Sequence, residues 1–196
     1  MKKEITNLNA KESLIRHSFE KEIDLSKLPL LEVKIPNRFK EDSFFPKNDF
    51  LLRISSKLNE QLEKFGANKE YIGRTVPGIC EAIKNAYEHG NKKDVNKKIF
   101  FAKALSNKKI EFLVGDEGGK INGNFFPYVL LFRQKGYDKY YSTAPDFYKF
   151  LEELYSPLGH TGVGIRNMNV CFEEVNYFKR ENGGLLVHLS KPFENK

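Results

Sequence analysis

The chain has 196 residues, 40% hydrophobic and 30% charged, a globular balance that excludes a disordered tract and allows one substantial core. Its longest apolar run, VLLF, is far short of the ~20 residues a membrane span needs, and MKKEITNLNAKES lacks the apolar stretch of a secretory signal. The formal charge of +7 raises nucleic-acid binding, but the lysines are dispersed and not interleaved with aromatics, so a solvated basic surface is expected instead. Cys80 and Cys171 sit in apolar contexts without metal-ligand neighbours, which reads as two reduced structural thiols in a cytoplasmic protein.

In chain order, residues 1–29 read as a polar N-terminal extension or short helix, and residues 30–196 as the domain. LLEVKIP (30–36) alternates Leu31, Val33 and Ile35 with Glu32 and Lys34, the pattern of a half-buried strand closed by Pro36. Asp49 is placed to cap a helix carrying Leu51, Leu52, Ile54, Leu58, Leu62 and Phe65, ended by Gly66. Asn68 opens a second helical region to His89, with Ile72, Val76, Ile79, Ile83 and Ala86 apolar, Gly90 as its stop and Pro77–Gly78 as a kink or division. KKIFFAKAL (97–105) and KKIEFLVGD (108–116) read as a hairpin turning at Ser106–Asn107. A long aromatic-rich segment follows, with a helix expected near Asp146–Tyr155. Then come Gly162 and Gly164 before an amphipathic helix, IRNMNVCFEEV, and a last strand, GGLLVHLSK. This order predicts an α+β domain: a two-layer sandwich of a mixed, mostly antiparallel sheet with helices on one face.

Three stretches carry chemistry. In EAIKNAYEHGN, residues four apart are offset by roughly 40°, so Glu81, Asn85 and His89 form one polar stripe bordered by apolar turns. An Asn carboxamide suits Mg²⁺, a Glu one turn away can serve as a base, and His89 beside Gly90 reads equally as a helix-end residue. In LVGDEGGKIN, Asp116 stands at a strand end beside glycines, able to accept a hydrogen bond from an exocyclic amine; a polar turn is the plain alternative. In LGHTGVGIRN, glycines before a helix free N–H groups for phosphate, although the lysine of a P-loop is missing.

Taken in order, Glu-x-x-x-Asn on a helix, a strand ending Asp-x-Gly, and Gly-x-Gly opening a helix resemble the ATP-binding domain of sensor histidine kinases, type II topoisomerases and mismatch-repair ATPases (the Bergerat fold). The short form EAIKNAYEHG looks most like its anti-sigma factor/serine-protein kinase branch, over about residues 30–192. The resemblance implies Glu81 as catalytic base, Asn85 on Mg²⁺, Asp116 on the adenine amine and Gly118 beside the ring. It implies Gly162 and Gly164 at the phosphates with His160 and Thr161 adjacent, and residues 119–160 as an ATP lid. The implied function is an ATP-dependent protein serine/threonine kinase acting on a regulatory partner, a sigma factor or an anti-anti-sigma-like acceptor, with a homodimer as a further option. The alternative is a non-catalytic, nucleotide-gated interaction module. Lys120 replaces a second glycine of the adenine motif, His160 stands where relatives carry a basic phosphate-binding residue, and Gly184 takes a threonine position. The aromatics Phe125, Phe126, Tyr128, Tyr140 and Tyr141 read either as a docking surface or as a small core beneath the lid.

Overall fold

The structure, a computed structural model, describes residues 22–27, 30, 32–122 and 163–194. Helix α1 (Phe50–Phe65) ends where Gly66 takes φ 99°, its N–H meeting the carbonyls of Glu63 and Leu62. Asp49 holds the N-cap position, but at φ 58° its side chain makes no capping bond; Leu52, 70% exposed, lies off the buried stripe. Helix α2 (Lys69–Asn85) begins at Asn68, whose Oδ1 accepts from the Tyr71 N–H at 2.8 Å. It runs unbroken through Pro77, because the carbonyl that Pro77 cannot bond belongs to Gly73, on the exposed side of the helix and open to solvent. Gly78 is a contact point: a Cβ there would lie 2.7 Å from Cys171 Cβ and 2.9 Å from the Phe172 ring, so its absence lets α3 (Val163–Cys171) lie against α2.

The main sheet is formed by β2 (Lys40–Glu41), β3 (Phe100–Leu105), β4 (Lys109–Gly115), β6 (Glu174–Lys179) and β7 (Leu185–Pro192), in the order β2-β3-β4-β7-β6. All its strand pairs are antiparallel, so the expected mixed character shrinks to one isolated parallel bridge, Glu32 to Lys179. The β3–β4 hairpin turns where expected, with the Ser106 N–H donating to the Lys109 carbonyl at 3.0 Å. LLEVKIP is not a ladder strand; beyond that bridge it is an extended segment whose Val33 and Ile35 pack on the sheet. The helix expected through Val175 stops at Cys171, and β6 follows, burying Val175 and Tyr177.

The expected boundary at residue 29 also moves. Strand β1 (Glu22–Asp24) pairs with β5 (Lys120–Asn122), and Ile23 and Leu25 are each 1% exposed, so this segment belongs to the core. The helix expected near Asp146–Tyr155, the aromatics of residues 125–141 and most of the expected lid lie outside the described residues.

One sheet face, with Ile110, Phe112, Val114, Val175 and Leu189, packs against Leu58, Leu62, Ile79, Ile83, Ile165 and Met168 of the three helices. The other carries Phe100, Ala102, Leu113 and Leu186, covered by Val33, Ile35 and Phe39. Within that second face Glu111, 3% exposed, accepts from Arg38 Nε at 3.2 Å and Nη2 at 3.1 Å, from Lys109 Nζ at 2.9 Å, and faces His188 Nε2 at 3.3 Å. Burial alone would raise the Glu111 carboxyl, but the hydrogen bonds and charges of Arg38 and Lys109 outweigh it and hold it down at about 2. A depressed carboxyl stabilises the fold above its ordinary value and loses that contribution as pH falls through about 2. Arg38→Ala is therefore expected to cost about 1 kcal/mol at pH 7, exposure of the guanidinium having been discounted. Urea unfolding of both proteins should show that difference shrinking below pH 4; a gap that is constant with pH would mean that Arg38 acts through packing alone.

Candidate functional site

The C-terminal half of α2 buries Ile79, Ala82 and Ile83 in the core and leaves Glu81 and Asn85 half-buried on its other side. Neither Glu81 nor Asn85 makes a side-chain hydrogen bond among the described residues. The α-helical ladder ends at Asn85 and widens into a π turn, Ala86–Gly90, closed by the Asn91 N–H on the Ala86 carbonyl at 2.8 Å. Such wide turns gather at functional sites. The stripe expected of Glu81, Asn85 and His89 is therefore α-helical only as far as Asn85, and His89 lies within the π turn. The turn is pinned by Asn91, whose fully buried side chain accepts from the Glu117 N–H at 2.8 Å and donates to the Lys98 carbonyl at 3.0 Å. Beyond it Lys92 and Lys93 take φ 55° and 62°, left-handed backbone that lysine rarely adopts, with the Lys93 N–H held by the Tyr87 carbonyl at 2.8 Å.

Asp116 follows the last residue of β4 and is 3% exposed. Its Oδ1 accepts from the N–H of Gly118 at 2.8 Å and of Leu185 at 3.2 Å; Oδ2 is turned toward Gly90 and takes no hydrogen bond from the described residues. Burial pushes this carboxyl up to about 6, against the pull of the Gly118 and Leu185 N–H groups and the charges of Arg180 and Lys97.

Glycines account for this packing. A methyl at Gly90 would strike the Asp116 carboxylate, one at Gly118 the Gly90 carbonyl, and one at Gly184 the Asp116 carbonyl. Gly90 therefore has a packing reason beyond ending a helix, since its φ is not positive. Gly118, expected beside a flat ring, already meets the π turn. Gly184 cannot be read as a threonine that has merely lost its hydroxyl, because no side chain fits there. Gly164, expected to precede α3, lies within its first turn, and a methyl on it would strike the Glu81 carboxylate.

The structure thus brings residues of the three sequence stretches together in pairs: Glu81 with Gly164, and Gly90 with Asp116 and Gly118. His160, Thr161 and Gly162 lie outside the described residues. Neither a family model nor a curated protein matches the chain. Among the described residues no helix is long and apolar enough to cross a membrane, and no three His, Cys, Asp or Glu side chains gather as they would around a metal. A magnesium ion shared between one carboxamide and phosphate oxygens needs no such cluster.

Sequence reasoning missed Arg180 and Asn91. Arg180 donates from Nη1 to the Asp116 carbonyl at 3.0 Å and stacks its guanidinium 4.6 Å from the centre of the Phe100 ring. Asn91 had a signal, a polar residue directly after the Gly90 stop, but only the fold reveals that it is buried. Chemically the arrangement offers an acceptor-only oxygen at Asp116, a carboxamide at Asn85 without a hydrogen-bond partner among the described residues, and a carboxylate at the first turn of α3.

Proposed function

We propose that the chain is an ATP-binding protein that transfers the γ-phosphate to a hydroxyl of a partner protein, in the manner of the anti-sigma factor/serine-protein kinases that its motifs resemble. The observation that carries this reading is that one helix with its π turn touches both other motifs. Glu81 meets Gly164, and roughly 13 Å along the axis Gly90 meets Asp116 and Gly118, a span that a nucleoside triphosphate can bridge.

In this reading Oδ2 of Asp116 accepts the exocyclic amine of adenine, while Oδ1 stays on the Gly118 and Leu185 N–H groups. Asn85 would hold Mg²⁺, which neutralises charge on the phosphates when bound. The first turn of α3 presents N–H groups toward the phosphates, and Gly164 keeps that turn close to Glu81. Glu81 would take the proton of the acceptor hydroxyl as the hydroxyl oxygen attacks the γ-phosphorus, the bond to the β–γ bridging oxygen breaking so that ADP leaves. Of the lid expected over residues 119–160, Lys120–Asn122 is instead the strand β5, so only the part beyond Asn122 is left to exclude water during transfer.

Thermal unfolding with and without Mg-ATP tests the binding half. Wild type is expected to gain several degrees at millimolar nucleotide and Asn85→Ala to gain little. An equal gain in both would remove Asn85 from the site, and no gain in wild type would remove the nucleotide reading.

A further inference from the structure

We propose that Arg180 is a positioning residue of this site: from the β6–β7 turn it holds the Asp116 main chain so that Oδ2 is presented to the base. The inference rests on the nucleotide reading above. The turn is built around Asp116. The Arg180 N–H donates to the Gly184 carbonyl at 2.8 Å, the Gly183 N–H to the Arg180 carbonyl at 2.9 Å, and the Asp116 N–H to the Leu185 carbonyl at 3.1 Å. Gly183 turns the chain at φ 88°, and Gly184 lets it pass against the Asp116 carbonyl. The Arg180 side chain then runs beside Gly115, where a Cβ would lie 2.8 Å from its Cδ, and ends with Nη1 on the Asp116 carbonyl at 3.0 Å.

The Phe100 ring supports the guanidinium from the outer sheet face, so its direction is set before any ligand arrives. Arg180 and Lys97 are the cations that favour the ionised Asp116 carboxylate; Glu117 and Glu41 face Arg180 with the opposite charge, and the π turn adds Gly90 and the neutral Asn91. Arg180 thereby does two things at once. It fixes the carbonyl one peptide from the strand end, and its charge adds to the Gly118 and Leu185 N–H groups in favouring the ionised Asp116 carboxylate.

The test titrates the Asp116 carboxyl by carbon NMR and measures ADP affinity by calorimetry against pH, for wild type, Arg180→Met and Arg180→Lys. Arg180→Met is expected to weaken ADP about tenfold at pH 7.5, the lower end for the loss of one charge-assisted hydrogen bond, and to move the carboxyl titration to higher pH. Arg180→Lys keeps the charge, so its titration should stay near that of wild type and part of the affinity should return. Met and Lys variants that lose affinity equally with an unmoved titration would reduce Arg180 to a structural residue and overturn the assignment. Wild-type ADP binding that is indifferent to Arg180 would overturn it as well. Absence of ADP binding by wild type would overturn the nucleotide reading and the assignment with it, while the carboxyl titration would still report whether Arg180 acts on Asp116.

Discussion

Asp116→Asn is expected to stabilise the protein at pH 8 while removing its affinity for adenine nucleotides. Oδ1 of an asparagine can accept the same two backbone N–H groups, from Gly118 and Leu185, so the local frame has no reason to collapse. What disappears is a buried negative charge. The carboxyl is pushed from its ordinary 3.8 up to about 6, so the folded chain binds its proton more tightly than the unfolded chain does. A raised value favours folding below the unfolded value, and that contribution is lost as pH rises through about 6. The ionised group therefore costs up to about 3 kcal/mol at pH 8, roughly two pH units of differential proton binding. Melts should show the variant gaining several degrees at pH 8 and nothing near pH 4.

The same change turns the atom facing Gly90 from an acceptor into a donor. ATP should then lose about a hundredfold or more in affinity, and inosine triphosphate, whose ring carries an oxygen in place of the amine, should become the better ligand. A variant that is destabilised at pH 8 would make the carboxylate structural, and unchanged ATP affinity would take Asp116 off the base.

Gly118→Ala should act in the opposite direction on stability. Its Cβ would fall on the Gly90 carbonyl, 2.6 Å from the carbonyl carbon, and both partners are backbone, so no rotamer relieves the clash. Relief requires moving either the π turn or the Asp116 loop, at a cost of about 3 kcal/mol and roughly 6–12 °C in melting temperature. Gly73→Ala is the control, since a methyl there meets nothing within 4 Å and lies on the exposed side of α2. That substitution should add about 1 kcal/mol through helix propensity alone. Calorimetric melts in one buffer compare the two; equal melting temperatures for Gly118→Ala and wild type would show that the approach of Gly90 is not close. Mg-ATP protection should also be absent in Gly118→Ala below its own melting range, because the displaced turn carries Gly90 off Asp116.

Much of the fold was legible because its signals are local. Gly66 in left-handed backbone, Asn68 on the Tyr71 N–H and the Ser106 turn each express a residue's own conformational preference. The helical stripes likewise marked Leu58, Leu62, Ile79 and Ile83 as core. The misreadings arose where a short segment needs a distant partner. Glu22–Asp24 becomes a strand only because Lys120–Asn122 pairs with it, and Glu174–Val175 starts β6 instead of continuing a helix only because β7 supplies the ladder. LLEVKIP has the period of a strand, yet beside β6 it makes a single bridge.

The site divides along the same line. By itself the sequence determined which groups are available: the Glu81–Asn85 spacing on one helix, an aspartate at a strand end, and glycines near a helix start. Tertiary structure alone decided what each glycine is for, since Gly90, Gly118, Gly164 and Gly184 are explained by atoms far away in the chain. It also placed His89 in a π turn that buried Asn91 pins to Glu117 and Lys98, and it brought Arg180 to the Asp116 carbonyl. The physical reason is range. Helix period and backbone preference act over a few residues, whereas close approach, burial and a displaced carboxyl titration depend on every element packed around one point.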